Sequence, residues 1–267
     1  MDYFNVKDKV VIVTGGSSGL GYGFAQVFAR AGSRVVLVNR SESKGQEAAE
    51  AIRAAGGDAV SIPADVSIRK SVAAMIERVI ERHGRIDVLI NNAGIIIRRM
   101  ATEMTEEEWD RQIDTNLKGT FNCCAETATH MIRQRSGKII NLASIAATRA
   151  VIQTPAAYAA TKAGLVQMSR VMAIEWIPYN INVNVIAPGF FETPMSADLR
   201  AQHPEEFVKI QQQIPQGRTG RIIEELGGVA IFLASDACQY MVGQVIYVDG
   251  GSSVGDGRAQ GRLAGAV

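Results

Sequence analysis

The chain has 267 residues, of which 47% are hydrophobic and 21% are charged. This composition supports a buried core and excludes both a disordered chain and a disulfide-stapled miniprotein. Because 28 Lys and Arg residues nearly balance 27 Asp and Glu residues, the basic excess that nucleic-acid binders usually carry is missing. No apolar run approaches the roughly 20 residues of a bilayer span. We therefore expect neither nucleic acid nor a membrane as a partner.

Short β-branched runs alternate with amphipathic stretches of helix length along the whole chain. The predicted strands cover residues 10–14, 34–39, 59–63, 88–91, 138–142, 181–186 and 245–248. The predicted helices cover residues 19–31, 43–55, 68–83, 105–134, 156–176 and 222–235. Runs such as VVIVT and VLI are apolar throughout, which is typical of strands buried on both faces of a parallel sheet. We predict a single α/β domain, a doubly wound seven-stranded parallel sheet with helices on both faces.

Two segments fall outside this alternation. Residues 190–219 form an insertion with Pro and Gln directly after a predicted strand, and we expect a lid over the substrate site. Residues 252–267 are rich in Gly, Ala and Arg, and we expect a flexible C-terminal tail. Because no linker interrupts the remainder, residues 1–251 are predicted to form one domain.

Cysteine and histidine usage indicates a protein without disulfides or structural zinc. Three cysteines occur, two of them adjacent, and three histidines are scattered along the chain. None of these residues has a spacing that suits a zinc site. The first residues lack the basic and apolar regions of a secretory signal peptide. We therefore expect free thiols, no bound metal and a cytoplasmic location.

The first predicted strand leads through a glycine-rich turn directly into a helix. The turn reads TGGSSGLG over residues 14–21. Backbone N–H groups and the helix dipole bind a phosphate at such a place, and glycines let the backbone approach a pyrophosphate closely. A Walker loop would have Lys after the last glycine, where this chain has Tyr22, so ATP and GTP are disfavoured. The turn therefore predicts a dinucleotide site.

Seven motifs follow in the order, and at the strand ends, of the short-chain dehydrogenase/reductase family, which the chain resembles over residues 7–251. They are the T-G-x-x-x-G-x-G turn, Asp65-Val66, Asn91-Asn-Ala-Gly94, Asn116, Ser144, Tyr158-x-x-x-Lys162, and Pro188-Gly189 with Thr193. The resemblance implies a Rossmann fold. It also implies an NAD(P)-dependent oxidoreductase that interconverts a secondary alcohol and a ketone by hydride transfer.

Tyr158 and Lys162 lie four residues apart in one predicted helix, so their side chains share a face. A nearby ammonium, together with the positive charge of an oxidised nicotinamide, favours the phenolate and lowers the pKa of the phenol, which suits a Tyr acting as general acid and base. Ser144, at a strand end, can donate a hydrogen bond to the same substrate oxygen. The resemblance adds Asn116, whose implied role is to hold a water for Lys162, and implies that Lys162 also binds the nicotinamide ribose. We expect these four residues to be catalytic.

The second strand ends at Asn39, where an acidic residue would favour NAD by holding ribose hydroxyls. Asn does not repel a 2′-phosphate, and the guanidinium of Arg40 suits one, so we expect NADP(H) in preference to NAD(H). The alternative is that Arg40 only begins a loop and that NAD is used. By resemblance, Asp65 and Val66 contact adenine and Thr193 contacts the nicotinamide amide. The predicted cofactor-binding residues are Gly15, Ser17, Ser18, Gly19, Leu20, Gly21, Asn39, Arg40, Asp65, Val66, Asn92, Ala93, Gly94, Tyr158, Lys162, Pro188, Gly189 and Thr193.

The substrate is less closely defined by the sequence. Arg98 and Arg99 follow NNAG at the carboxyl end of a strand, the edge where α/β sheets bind ligands. Family members that act on gluconate-type sugar acids have an Arg pair near this place, of which only Arg98 matches in position. The candidate substrate residues are Arg98 as a carboxylate clamp, Ser144 and Phe190; two solvated loop charges are the alternative interpretation of the Arg pair. A 3-oxoacyl-thioester (acyl carrier protein) reductase is the alternative function, and a non-catalytic nucleotide-sensing protein is a third.

The predicted helices 105–134 and 156–176 are apolar over more than one face. A helix of this kind is buried nearly all round, and the sheet covers only one side of it. The resemblance implies a homotetramer that uses these two helices and the last strand, with a dimer as the alternative.

Overall fold

Seven parallel strands form one sheet whose edge order is β3-β2-β1-β4-β5-β6-β7. The computed structural model describes residues 3–150, 154–191, 193, 200–202 and 204–255. The strands are β1 (Val10–Thr14), β2 (Arg34–Asn39), β3 (Asp58–Pro63), β4 (Val88–Asn91), β5 (Gly137–Leu142), β6 (Ile181–Pro188) and β7 (Val245–Val248). The strand order reverses between β1 and β4, and open α/β sheets bind ligands at the carboxyl ends of such strands. The predicted doubly wound, seven-stranded parallel sheet is confirmed.

Helices cover both faces of the sheet. They are α1 (Gly19–Arg30), α2 (Glu42–Ala54), α3 (Arg69–His83), α4 (Glu106–Ile113), α5 (Gly119–Gln134), α6 (Ala156–Trp176), α7 (Pro204–Gln213) and α8 (Gly227–Ala234). Successive residues of β1 point to opposite faces, so Val11 and Val13 pack with Phe24 and Phe28 of α1. Val10 and Ile12 point to the opposite face, where they pack in a second hydrophobic core with the buried residues of α3, α5 and α6. The apolar strands are therefore buried on both faces, as their sequence indicates.

Two predicted helices are interrupted by π-helical turns. The predicted helix 105–134 consists of α4, a π-helical turn at Asp114–Lys118 and α5. The predicted helix 222–235 begins with a π-helical turn at Ile222–Leu226 before α8. A π turn adds one residue to a helical turn and is frequent at functional sites. Apolar periodicity does not reveal such a turn, because the helix remains continuous on both sides of it.

Helix α7 lies inside the insertion 190–219 and is not among the predicted helices. Its sequence PEEFVKIQQQ has only one buried side chain, Phe207, so it lacks the apolar stripe that predicts a helix. Residues 192, 194–199 and 203 of the predicted lid, and residues 256–267 of the predicted tail, lie outside the described residues. Residues 252–255 form a turn, in which the Ser253 N–H donates to the Asp249 carboxylate at 2.6 Å.

All three cysteines are buried and free, which confirms the expected free thiols. Cys124 packs under β4 and β5, and burial raises the pKa of its thiol to about 12. Its sulfur accepts a hydrogen bond from the Asn91 amide at 3.1 Å. Among the described residues, no helix is long and apolar enough to cross a bilayer, and no group of His, Cys, Asp or Glu could hold a metal ion.

Candidate active site

The glycine turn connects β1 to α1 along a tightly packed path. Gly15 and Gly19 have φ values of +65° and +54°, which are strained for residues with a side chain. The Gly15 N–H donates to the Val38 carbonyl at 2.7 Å, so the turn is tied to β2. A Cβ at Gly21 would lie 2.8 Å from the Gly15 carbonyl carbon. A Cβ at Gly19 would have Thr193 Cγ2 as its nearest atom, at 3.9 Å, so the outer side of the turn is open.

Thr14 joins the glycine turn to the NNAG motif after β4. Its hydroxyl oxygen accepts hydrogen bonds from the backbone N–H groups of Asn92 and Ala93, both at 3.0 Å. The Asn92 side-chain amide donates in turn to the Thr14 carbonyl at 3.0 Å. These bonds place Asn92, Ala93 and Gly94 beside the turn, at the point where the strand order reverses.

The end of β2 offers polar groups to the adenosine side of a dinucleotide. The Asn39 amide donates weakly to the Ser61 hydroxyl at 3.4 Å, while its Oδ1 is buried without a hydrogen-bond partner in the described chain. Arg40 is exposed and makes no ion pair with any described carboxylate. Asp65 bonds back to its own loop, since its Oδ1 accepts from the Ser67 hydroxyl at 2.6 Å. An open glycine cradle, an orphaned amide oxygen and an unengaged guanidinium fit a dinucleotide.

The structure brings Ser144, Tyr158 and Lys162 together at the carboxyl ends of β5 and β6. The Lys162 ammonium donates to the Leu142 carbonyl at 2.7 Å and lies 5.7 Å from the centre of the Tyr158 ring. Burial lowers the pKa of Lys162 to about 8. Ser144 lies two residues after the end of β5, and its hydroxyl oxygen accepts a hydrogen bond from the Ala146 N–H at 3.2 Å.

The pKa of Tyr158 differs from the expectation that Lys162 lowers it. Burial of the phenol is the largest cause and raises its pKa above the ordinary value of 10. A hydrogen bond with Ser144 and the positive charge of Arg98 oppose this change. The expected lowering of the Tyr158 pKa by Lys162 was therefore wrong for the protein without its cofactor, because desolvation outweighs the nearby charges.

Asn116 lies in the π-helical turn and is fully buried. Its side-chain oxygen accepts from the Ile95 N–H at 2.8 Å, and its amide donates to the Ile95 carbonyl at 2.9 Å. The same amide donates to the Thr161 hydroxyl at 3.3 Å, which itself donates to the Tyr158 carbonyl at 2.7 Å. Asn116 therefore connects the loop after β4 to the helix that carries Tyr158. The water that the resemblance assigns to Asn116 stays a prediction.

Comparison with known proteins agrees with this geometry. The family model described as enoyl-(acyl carrier protein) reductase matches residues 15–253. The chain belongs to the short-chain dehydrogenase/reductase family. Membership confirms the predicted reaction class, an NAD(P)-dependent oxidoreductase that acts on hydroxyl and keto groups.

Three relatives of this dehydrogenase/reductase show the range of the family. The 2-dehydro-3-deoxy-D-gluconate 5-dehydrogenase of Dickeya dadantii is 40% identical, covering 94% of this chain and 98% of the relative. The 3-oxoacyl-[acyl-carrier-protein] reductase of Chlamydia muridarum is 41% identical, covering 91% and 97%. The crystal structure of a gluconate 5-dehydrogenase from Burkholderia cenocepacia, in complex with NADP and tartrate, has a TM-score of 0.88 at 36% identity, covering 94% and 98%.

In this short-chain dehydrogenase/reductase the two consecutive arginines have different surroundings. Arg99 donates to the Glu108 carboxylate at 3.2 Å. Arg98 is exposed, and its charge acts on Tyr158. The charge of Arg98 therefore contributes to the pKa of the Tyr158 phenol, whereas Arg99 is engaged by Glu108.

Phe190 follows Pro188 and Gly189 at the end of β6 and is partly exposed. The Gly189 N–H donates to the Val248 carbonyl at 2.9 Å, and the Phe190 carbonyl accepts from the Gly220 N–H at 2.8 Å. Phe190 lines a surface cavity with Gln216, Asp249 and their neighbours. The insertion therefore begins at the same edge of the sheet as Ser144 and Tyr158.

Three residues that contribute to the site were not predicted from the sequence. Thr161 links Asn116 to the Tyr158 backbone, and Gln112 accepts from the Ile97 N–H at 2.7 Å. Arg149, five residues after Ser144, donates to the carbonyls of Ser252 and Gly255. Gln112 had a usable signal, since it lies midway between the polar residues Glu108 and Asn116 at a spacing of four residues in a predicted helix. Arg149 had none, because its partners are distant backbone atoms.

Replacing Lys162 with Met is expected to change how stability depends on pH. The folded-state pKa of Lys162 is about 8, below its ordinary value of 10.5, so between these pH values the unfolded chain binds more protons. The penalty of burying the charge is complete below pH 8 and disappears as the pH rises to 10.5. The wild type should therefore gain roughly 1–3 kcal/mol of unfolding free energy relative to Lys162→Met between pH 7 and pH 10.

Urea denaturation of both proteins at several pH values measures this difference. Lys70→Met, at an exposed position of α3, is the matched control and should follow the wild type. If the free energy of unfolding changes with pH in the same way for the wild type and for Lys162→Met, the expectation is contradicted.

Proposed function

We propose that this enzyme oxidises a gluconate-type sugar acid or polyol with NADP⁺ and reduces the corresponding ketone with NADPH. The observation that carries the proposal is the exposed Arg98 guanidinium, whose positive charge opposes the burial that raises the pKa of the Tyr158 phenol. Because Arg99 pairs with Glu108, Arg98 is the member of the arginine pair that is available to a substrate. Such a cation binds the carboxylate of a substrate. The names of the Dickeya and Burkholderia relatives support this substrate class.

Tyr158 moves the proton at the reacting oxygen. Because burial raises the pKa of Tyr158, its hydroxyl is protonated at neutral pH and donates its proton to the carbonyl oxygen of a keto substrate. In the oxidative direction Tyr158 first releases this proton to solvent, and its phenolate oxygen then accepts the proton of the alcohol. The nicotinamide cofactor, when bound, supplies or accepts the hydride. The Ser144 hydroxyl donates a second hydrogen bond to the same substrate oxygen.

Lys162 supports this proton transfer from the neighbouring turn of α6. Its hydrogen bond to the Leu142 carbonyl fixes the ammonium close to the Tyr158 ring. With a pKa of about 8, Lys162 holds a proton at neutral pH and releases it readily, which suits the reprotonation of Tyr158. Lys162 also binds the nicotinamide ribose in this proposal, and Asn116 holds the relay water.

NADP(H) is the proposed cofactor in preference to NAD(H). Neither Asn39 nor Arg40 carries the negative charge that would repel a 2′-phosphate, and Arg40 is exposed for contact with one. The glycine turn, with Ser17, Ser18 and Leu20, lies at the N-terminus of α1, where it receives the pyrophosphate. The Burkholderia relative in complex with NADP supports the choice.

Absorbance at the nicotinamide band with D-gluconate and NADP⁺ tests the function. We expect turnover, with kcat/KM at least ~10-fold higher for NADP⁺ than for NAD⁺. Arg98→Ala should raise the KM for gluconate ~10- to 100-fold, because a charge-assisted hydrogen bond contributes about 1.5–3 kcal/mol. Arg99→Ala, whose guanidinium is engaged by Glu108, is the matched control and should change KM less than threefold. Equal effects of the two substitutions would contradict the clamp.

Reduction of a 3-oxoacyl thioester is the second candidate function. The Chlamydia muridarum relative, a 3-oxoacyl-[acyl-carrier-protein] reductase, is the observation that favours it. Turnover of acetoacetyl thioester with NADPH, without turnover of gluconate, would establish this alternative and make Arg98 incidental. Absence of turnover with any carbonyl or alcohol would favour a nucleotide sensor.

We propose a homotetramer for the assembly, with a dimer as the alternative. Phe121 of α5 and Val171 and Ile174 of α6 are exposed, and β7 is an edge strand that is only half-buried throughout. These apolar faces fit a second copy of the chain. Sedimentation at micromolar concentration should give four times the chain mass, and Val171→Lys with Ile174→Lys should dissociate it. Val208→Lys, at an exposed apolar position of α7, is the control. A monomeric wild type would contradict the proposal.

Three expectations from the sequence are kept as part of the proposal. The insertion 190–219 is a lid over the substrate site in this proposal, supported by the position of Phe190 directly after β6, at the carboxyl edge of the sheet. The chain from residue 252 is a C-terminal tail whose first residues bind Arg149. The protein works in the cytoplasm, which the buried free thiols support.

A further inference from the structure

Three polar side chains of one helix face hold the loop that follows β4. Asn116 binds both backbone groups of Ile95, with distances of 2.8 and 2.9 Å. Gln112 accepts from the Ile97 N–H at 2.7 Å. Glu108 accepts from the Arg99 guanidinium at 3.2 Å. The helix contributes every fourth residue to this ladder, and the loop contributes every second residue.

The two spacings match each other in length. Four residues of an α-helix rise about 6 Å along its axis. Two residues of an extended chain cover about 6.6 Å. The ladder of Glu108, Gln112 and Asn116 therefore fits a loop that runs extended along α4 and the π-helical turn. Gln112 is its middle rung, bound to the residue directly before Arg98.

The extended course that the ladder indicates for the loop would separate the two arginines. Consecutive side chains of an extended chain leave on opposite faces. Arg99 leaves toward Glu108 on α4, so Arg98 leaves on the other face. The charge that Arg98 exerts on Tyr158 agrees with this direction. A loop released from the ladder would no longer fix which arginine faces the phenol.

Gln112 is an unusual residue for its surroundings. Its side chain is 0% exposed, and its amide nitrogen has no hydrogen-bond partner in the described chain. A buried polar group with an unpaired donor is unfavourable, and an apolar side chain of the same shape would avoid that cost. The hydrogen bond to Ile97 is therefore the property that an apolar residue could not supply.

We propose that Gln112 is a positioning residue that directs Arg98 toward the substrate carboxylate, and so sets the preference for acidic substrates. This inference rests on the proposed function, in which Arg98 binds that carboxylate. Gln112 does not touch the substrate itself; it acts through the Ile97 N–H and the extended loop.

The test compares Gln112→Met with Gln112→Glu. Met keeps the shape of Gln and removes the acceptor, whereas a buried carboxyl is protonated and keeps a carbonyl acceptor. Gln112→Met should raise the KM for gluconate 5- to 20-fold with kcat within threefold, and Gln112→Glu should stay within threefold for both. In an Arg98→Ala background, Gln112→Met should have no further effect on KM. Hydrogen exchange of the Ile97 amide should be at least tenfold faster in Gln112→Met alone.

Two results would overturn the inference. One is an unchanged exchange rate of the Ile97 amide in Gln112→Met; the other is the same rise of KM with and without Arg98. If Arg98→Ala leaves the KM for gluconate unchanged, the proposed function fails instead, and the exchange rate still decides whether Gln112 holds the loop. Should Gln112→Met not fold, Gln112→Leu removes the same acceptor with another apolar side chain and should also raise the KM 5- to 20-fold. No rise for Gln112→Leu would then overturn the inference.

Discussion

Tyr158→Phe is expected to lower kcat by about 10³-fold while the dissociation constant of NADPH changes less than threefold. General acid–base catalysis by a positioned side chain contributes roughly 10²- to 10⁴-fold. The substitution removes only the hydroxyl that exchanges the proton, and the ring stays packed 5.7 Å from the Lys162 ammonium. Steady-state absorbance at the nicotinamide band measures kcat, and quenching or enhancement of NADPH fluorescence measures binding.

Tyr179→Phe is the matched control, because Tyr179 is partly exposed in the 3₁₀ turn after α6 and lies away from the site. It should retain kcat within twofold. A Tyr158→Phe enzyme that retains more than a tenth of its kcat would remove Tyr158 from the role of acid and base. Loss of NADPH binding in the same variant would instead mean that the phenol shapes the cofactor site.

Gly21→Ala is expected to weaken NADPH binding at least ~100-fold. A Cβ at Gly21 would overlap the Gly15 carbonyl and lie within contact of the Asn92 amide, so the glycine turn must move away from α1. Overpacking of a well-packed region costs typically about 1–3 kcal/mol, and here the moved atoms are the backbone that faces the pyrophosphate. Fluorescence titration with NADPH and urea denaturation measure the two effects separately.

Gly228→Ala provides the comparison. A Cβ at Gly228, in α8, would meet no atom within 4 Å, and its backbone is helical. Ala at a helical glycine is more favourable by roughly 0.5–1 kcal/mol, so this variant should be as stable as the wild type or more so and should bind NADPH normally. Unchanged NADPH affinity in Gly21→Ala would show that the turn does not carry the pyrophosphate.

The strands and the clustering of Ser144, Tyr158 and Lys162 could be predicted because their signals are local. A run such as VVIVT has only one low-energy placement in an α/β protein, between two layers of helices. Tyr158 and Lys162 share a helix, so a spacing of four residues already places them together. Ser144 joins them because the ends of parallel strands meet at one edge of the sheet.

The remaining features depend on contacts between distant parts of the chain. Nothing in the dipeptide Arg98-Arg99 tells which guanidinium faces Tyr158; that depends on Glu108 and on the course of the loop. The pKa of Tyr158 was expected to fall because a charge adjacent in the helix is visible in the sequence. The burial that outweighs it comes from the whole surrounding fold.

The π-helical turn at Asp114–Lys118 sets the angular phase between two halves of one long helix. Before it, the helix directs Gln112 at the loop that follows β4; after it, the helix directs Cys124 and Met131 into the core under the sheet. The π turn accommodates one extra residue, and each residue advances an α-helix by about 100°, so the same sequence wound as a regular α-helix would have one half rotated against the other. A substitution that favours a regular α-helix at Asp114–Lys118 would therefore turn either the polar face away from the loop or the apolar face away from the core.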